Sequence, residues 1–124
     1  MAISSTKFDR AVSYKVLHDA NMTNAAQNNV TDGPGKLHSV KIANSNNAAV
    51  YVKLFNAYSA SIGSTAPDWV FSCPASETYT YEIPGGVSYD ALTVCATENG
   101  TPSDNTAPSA SGQEKIAVTI VTSV

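Results

Sequence analysis

Charge is scarce in this sequence. Asp, Glu, Lys and Arg make up 14% of 124 residues, where globular domains usually carry ~25%. The net charge is −3 and the lysines stand singly, so no basic stripe follows a phosphate backbone and direct nucleic-acid binding is not expected. Long apolar runs are missing too: nothing approaches the ~18 residues of a membrane span. Residues 1–10 (MAISSTKFDR) have no apolar core of the kind a signal peptide needs. The expectation is a protein made in the cytoplasm with no membrane partner, leaving it only inside an assembled particle.

Cysteine is limited to Cys73 and Cys95. Cys73 shares strand phase with Trp69 and Phe71, whereas Cys95 is out of phase with Leu92 and Val94. If both apolar sets face one core, the thiols point to opposite sides of their strands, so two free thiols are expected. Asn21, Asn29 and Asn99 each start an Asn-x-Thr sequon, idle without a secretory route.

The residues that chemistry needs are few and scattered. His18 and His38 are the only histidines, and neither has a Cys, His or Glu at zinc-ligand spacing. His38 keeps phase with Val40 and Ile42, which reads as a partly buried, hydrogen-bonded strand residue. Asp68, Asp90 and Asp104 fall in separate loops, and none opens an EF-hand pattern. The runs at 32–35 (DGPG) and 84–86 (PGG) lack the Lys and Ser/Thr of a phosphate loop and read as turns. No base–nucleophile pair and no opposed carboxylates can be assembled. The chain therefore reads as a non-enzyme without cofactor or metal.

What is present is strand grammar. Val40 and Ile42 alternate with Lys41, an Asn/Ser cluster follows at 44–47, and Val50, Val52 and Leu54 alternate with Tyr51 and Lys53. Two period-2 segments around an Asn-rich turn predict a β-hairpin. Val12, Tyr14 and Val16 predict an earlier strand, and residues 69–73, 78–83 and 92–95 predict three more. The last strand carries Ile116, Val118 and Ile120. Pro84-Gly85-Gly86 is read as ending the strand that holds Tyr79, Tyr81 and Ile83. A short helix at 22–27 is disfavoured by its Asn content. Seven strands without a convincing helix predict an all-β fold: an antiparallel β-sandwich, jelly-roll-like, as a single domain over 11–124. Residues 1–10 form an extended N-terminal arm ahead of it, and 98–114 form a long exposed loop. Val40, Ile42, Val52, Leu54, Leu92, Val94, Ile116, Val118 and Ile120 form the expected core.

The aromatics divide by phase. Trp69, Phe71, Tyr79 and Tyr81 are in phase with core positions. Tyr51 and Phe55 share the phase of Lys53 and, with Tyr58, are candidates to leave the core side. Aromatics so placed stack on sugar rings, anchor a protein interface, or build a second packing layer. With Phe8 and Arg10 of the arm, Tyr51, Phe55 and Tyr58 form the candidate interface.

A set of segments carries a resemblance: 37–45 (LHSVKIANS), 49–57 (AVYVKLFNA), 65–67 (TAP), 81–86 (YEIPGG), 91–97 (ALTVCAT) and 118–122 (VTIVT), with Gly100-Thr101 and Ala107-Pro108 between them. In this pattern the chain, from residue 36 on, resembles small virion structural proteins of tailed bacteriophages, cyanophages included. The resemblance implies a β-sandwich module that decorates a capsid or builds tail, baseplate or fibre parts, with no enzymatic residue to carry over. It implies the major capsid protein or other virion proteins as partners, and the virion as location. The arm and the low-charge surface favour a capsid decoration, or cement, protein acting as a homo-oligomer, trimer favoured over dimer. Lys41, Lys53 and Lys115 are the lysines placed to guard strand edges. The reading from another class is a carbohydrate-binding module stacking sugars on Tyr51, Phe55, Tyr58 or Trp69.

Overall fold

The computed structural model describes residues 14–108 and 116–123. The arm at 1–10, with Phe8 and Arg10, and the later part of the 98–114 loop, with Lys115, lie outside the described residues.

Seven strands form: β1 (Tyr14–Asp19), β2 (Gly35–Asn44), β3 (Val50–Asn56), β4 (Trp69–Cys73), β5 (Thr78–Tyr89), β6 (Leu92–Thr97) and β7 (Ile116–Ser123). They make two antiparallel sheets, one ordered β1-β7-β2-β5 and one ordered β4-β3-β6. All nine expected core residues are buried between them. Met22, Leu37, Val50, Cys73, Tyr89 and Ala96 complete that core. The fold is an all-β sandwich.

The central hairpin does not form. β2 and β3 are consecutive but belong to opposite sheets, so the Asn-rich segment is an arch across the sandwich. Alternation could not tell the two apart, because Val40 and Ile42 on one strand and Val52 and Leu54 on the other face the core in either arrangement. Asn44 decides it. Its side-chain amide donates to the carbonyls of Ala48, Cys73 and Pro74, and its Oδ1 accepts from the Asn46 amide. One buried side chain thus ties the end of β2 to the end of β4 in the facing sheet.

β5 also departs from expectation. It runs past Pro84-Gly85-Gly86 to Tyr89 rather than ending at Ile83. Its pairing with β2 jumps from Glu82↔Ser39 to Val87↔Leu37, leaving residues 83–86 opposite His38 alone. Gly85 and Gly86 take φ of 80° and 75°, which only glycine adopts freely. A bulge in the middle of a paired strand therefore looks, in sequence, like a strand end. The same irregularity makes His38 an extra residue relative to β7. Leu37 and Val40 consequently both face the core, while His38 turns to the outer face and bonds the Ser123 hydroxyl at 2.8 Å. It is a half-buried strand histidine as expected, on the side opposite to the one its spacing gave.

β1 likewise shows its alternating pair outward, with Tyr14 and Val16 at 55% and 65% exposure, and packs Leu17 against the core. No helix forms at 22–27. That segment lies along the outer edge of β6, exchanging backbone bonds between Gln27 and Val94 and from Ala96 and Val30 to Thr23 and Leu92.

Leu54 is fully buried at the centre of β3. Leu54→Ala is expected to cost ~2–5 kcal/mol of unfolding free energy, measured by urea titration. A midpoint unchanged from the parent protein would contradict this packing.

Candidate interaction surface

The two outward faces of the sandwich are treated differently. The outer face of the three-stranded sheet carries Tyr51, Lys53 and Phe55 from β3 and Thr93, Cys95 and Thr97 from β6, paired across the strands. Connections cover this face. Lys53 is 1% exposed, and its Nζ donates to the carbonyls of Thr101 at 2.7 Å and Asp104 at 3.0 Å. The ammonium thereby pins the 98–108 stretch over the sheet. Asp104 completes that loop: its carboxylate accepts from the Asn99 amide and the Thr106 hydroxyl. Burial pushes this carboxyl up, but those bonds together outweigh it and hold it below the usual carboxylate range.

Lys53 is therefore not an edge guard, since β3 is the central strand of its sheet. Lys41 is exposed but sits on β2, between β7 and β5, and guards no edge either.

The candidate interface residues separate under this cover. Phe55 is 1% exposed and cannot anchor a partner. It belongs to a second packing layer, where Thr93 opposite it bonds the Ala57 carbonyl. Tyr51 is half-buried, its ring set so close to Gly100 that a Cβ there would come within 2.9 Å. Tyr58 stays open at 64%. Of the inward-phased aromatics, Trp69, Phe71 and Tyr81 pack against the core. Tyr79 is 43% exposed and meets Tyr81 edge-on.

Both cysteines are buried free thiols, Cys73 in the core and Cys95 on the outer face opposite Lys53. Burial pushes the Cys95 thiol up to about 11, with Lys53 opposing. Burial raises Cys73 as well.

The four-stranded sheet is different, for no described connection crosses its outer face. That face presents Tyr14, Val16 and His18 from β1, Thr119, Val121 and Ser123 from β7, Lys36, Ser39 and Lys41 from β2, and Thr80 and Glu82 from β5, as the registers and exposures align them. Both histidines of the chain lie here, each bonded to a hydroxyl of β7: His18 to Thr119 at 2.9 Å and His38 to Ser123. The Tyr14 ring meets His38 edge-on at 5.3 Å. Sequence reasoning missed this surface because its members come from four strands, with the bulge hiding the side on which His38 falls.

A cavity of about 250 Å³ opens beside β1, between Leu17, Met22, Val30, Val94, Val118 and Ile120. At its polar side Gln27 donates to the Asp19 carboxylate at 2.6 Å.

Comparison with known proteins brings no match among family models, curated proteins or solved structures.

Lys53→Met removes two charge-assisted bonds and is expected to cost about 1–3 kcal/mol. Hydrogen exchange should then speed up at the Asn99 and Asp104 amides; unchanged protection there would show that the loop does not depend on the ammonium. The cysteines give a pH prediction. The folded state holds the Cys95 proton to about pH 11, whereas the unfolded thiol releases it near its ordinary value of 9.0. Stability is thus complete below pH 9 and declines by about 2–3 kcal/mol as pH rises to about 11. Cys95→Ala should flatten much of that slope between pH 8 and 11, and an equally steep decline in the variant would assign it elsewhere.

Proposed function

We propose that the chain is a non-enzymatic structural protein of a tailed-bacteriophage virion, acting as a capsid decoration, or cement, protein. The sequence pattern from residue 36 on supports the phage reading. The observation that carries the structural role is the one-sidedness of the sandwich: its own loops cover one sheet, and the other offers a broad, mostly uncharged face. β1 borders that face as an edge strand, and unpaired backbone groups of such an edge favour pairing or cover by a neighbour. In this reading the N-terminal arm and the open face engage neighbouring subunits together. Many modest contacts repeated on one lattice then add up to firm retention. The partners in this reading are the major capsid protein and further copies of the chain.

A tail, baseplate or fibre component is the alternative within the same class. The carbohydrate-binding alternative is the less favoured reading, because Phe55 is buried, Tyr51 is packed on Gly100 and Trp69 packs against the core, which leaves Tyr58 as the open aromatic of that set.

Quantitative mass spectrometry of purified particles tests the role. A cement protein should occur in copy numbers comparable with the major capsid protein. A few copies per particle would move it to the tail, and absence from particles would end the virion reading. Deleting residues 1–10 should leave the sandwich folded while lowering both its occupancy on particles and their resistance to heat. Full occupancy by the truncated chain would remove the anchoring role of the arm.

A further inference from the structure

Among the described residues, the sparse charges of the two outer faces differ in sign. Four lysines are described. Two are spent internally: Lys53 on the 98–108 loop and Lys15 on the Thr31 carbonyl at 2.7 Å. The other two, Lys36 and Lys41, are exposed on the outer face of the four-stranded sheet, alongside His18 and His38, and Glu82 is the carboxylate among them. In a chain of net charge −3, this face is neutral to basic. The opposite side is acidic. Asp104 lies in the loop held over the three-stranded sheet, Glu98 enters that loop with its amide bonded to the Thr106 carbonyl, and Asp68 precedes β4 with its carboxylate on the Asn56 amide. With the buried Lys53 included, this layer still has more carboxylates than cations.

We infer that the bare face of the four-stranded sheet binds the acidic loop layer of a second copy, head to tail. Charge complementarity selects this occupant, because the carboxylates that Lys36 and Lys41 would meet are present on the chain itself. Two bare faces brought together would instead oppose like charges. Tyr14, Val16 and Val121 supply the apolar part of the contact: Val16 and Val121 are cross-strand neighbours, and Tyr14 and Val16 are among the most exposed apolar side chains. A contact between two different patches is heterologous, so it builds a ring when the rotation closes and a filament when it does not. The inference deepens the structural reading by naming the self-association surface, and it relies on that reading only for the lattice on which the assembly would sit.

Sedimentation velocity of the purified full chain tests it apart from any particle. Self-association at 20 mM salt should weaken several-fold at 500 mM, since exposed charges are screened over a Debye length of about 10 Å at 0.1 M and about 3 Å at 1 M. Lys36→Glu with Lys41→Glu should give a monomer, and so should Glu98→Lys with Asp104→Asn, which keeps an oxygen for the Asn99 amide. Circular dichroism and the melting temperature confirm that each variant is folded. Mixing the two variants should restore association, because each then supplies the face that the other lacks. A protein monomeric at all concentrations overturns the inference. So does association that salt strengthens, or that the Glu98 and Asp104 changes leave intact, as either would indicate face-to-face packing. Success here with absence from virions would reject the virion role alone; the converse would reject this contact alone.

Discussion

The fold turns on the amide of Asn44. A chain of alternating strands can close its core as hairpins within one sheet or as arches between two. At the end of β2 the Asn44 side chain reaches carbonyls next to β4 in the facing sheet, and it accepts the Asn46 amide within the turn. Asn44 itself is buried, so leaving its amide unpaired would cost about 1–3 kcal/mol. The arch sends β3 into the second sheet, where it becomes the central strand and takes β4 and β6 as neighbours. The inward sets of both sheets then share one core.

The arch fixes the outer surface as well. With β3 central, its outward residues Tyr51, Lys53 and Phe55 form the middle of a sheet face, and a lysine there has few routes to water. The 98–108 loop resolves the conflict by folding over Lys53 with carbonyl oxygens turned toward the ammonium. The loop that closes over the lysine also carries the Asp104 and Glu98 carboxylates. Among the described residues, no connection crosses the outer face of the second sheet, where Lys36 and Lys41 reach water directly. Hence the sandwich has two unlike sides, and the proposed role in assembly draws on that asymmetry.

Much of the fold was legible in the sequence. Period-2 alternation located seven strands, placed nine core residues, and set Cys73 and Cys95 on opposite sides of their sheets, because strand phase is a local property that a dozen residues suffice to define. What the alternation left undetermined was which strands pair. Val40 with Ile42 and Val52 with Leu54 look the same in a hairpin and in an arch. A bulge is equally hard to recognise: Pro84-Gly85-Gly86 has the composition of a turn, and only the partner strand, continuing through Leu37, reveals that β5 goes on.

The site was less legible than the fold, for a related reason. Tyr51, Phe55 and Tyr58 were singled out by phase, but phase gives only the side of a sheet, and whether that side meets water depends on loops distant in sequence. The loop over Lys53 meets it through Thr101 and Asp104, 48 and 51 residues further along the chain. The bare face draws Tyr14, His38, Thr80 and Val121 from four strands whose order follows from the arch and the bulge. The sequence alone determined strand phase, core composition and low surface charge, since each depends on residue type and near neighbours. Tertiary structure decided which outward side is sealed, which is bare and how the few charges divide between them, because long-range pairing and loop closure set those positions.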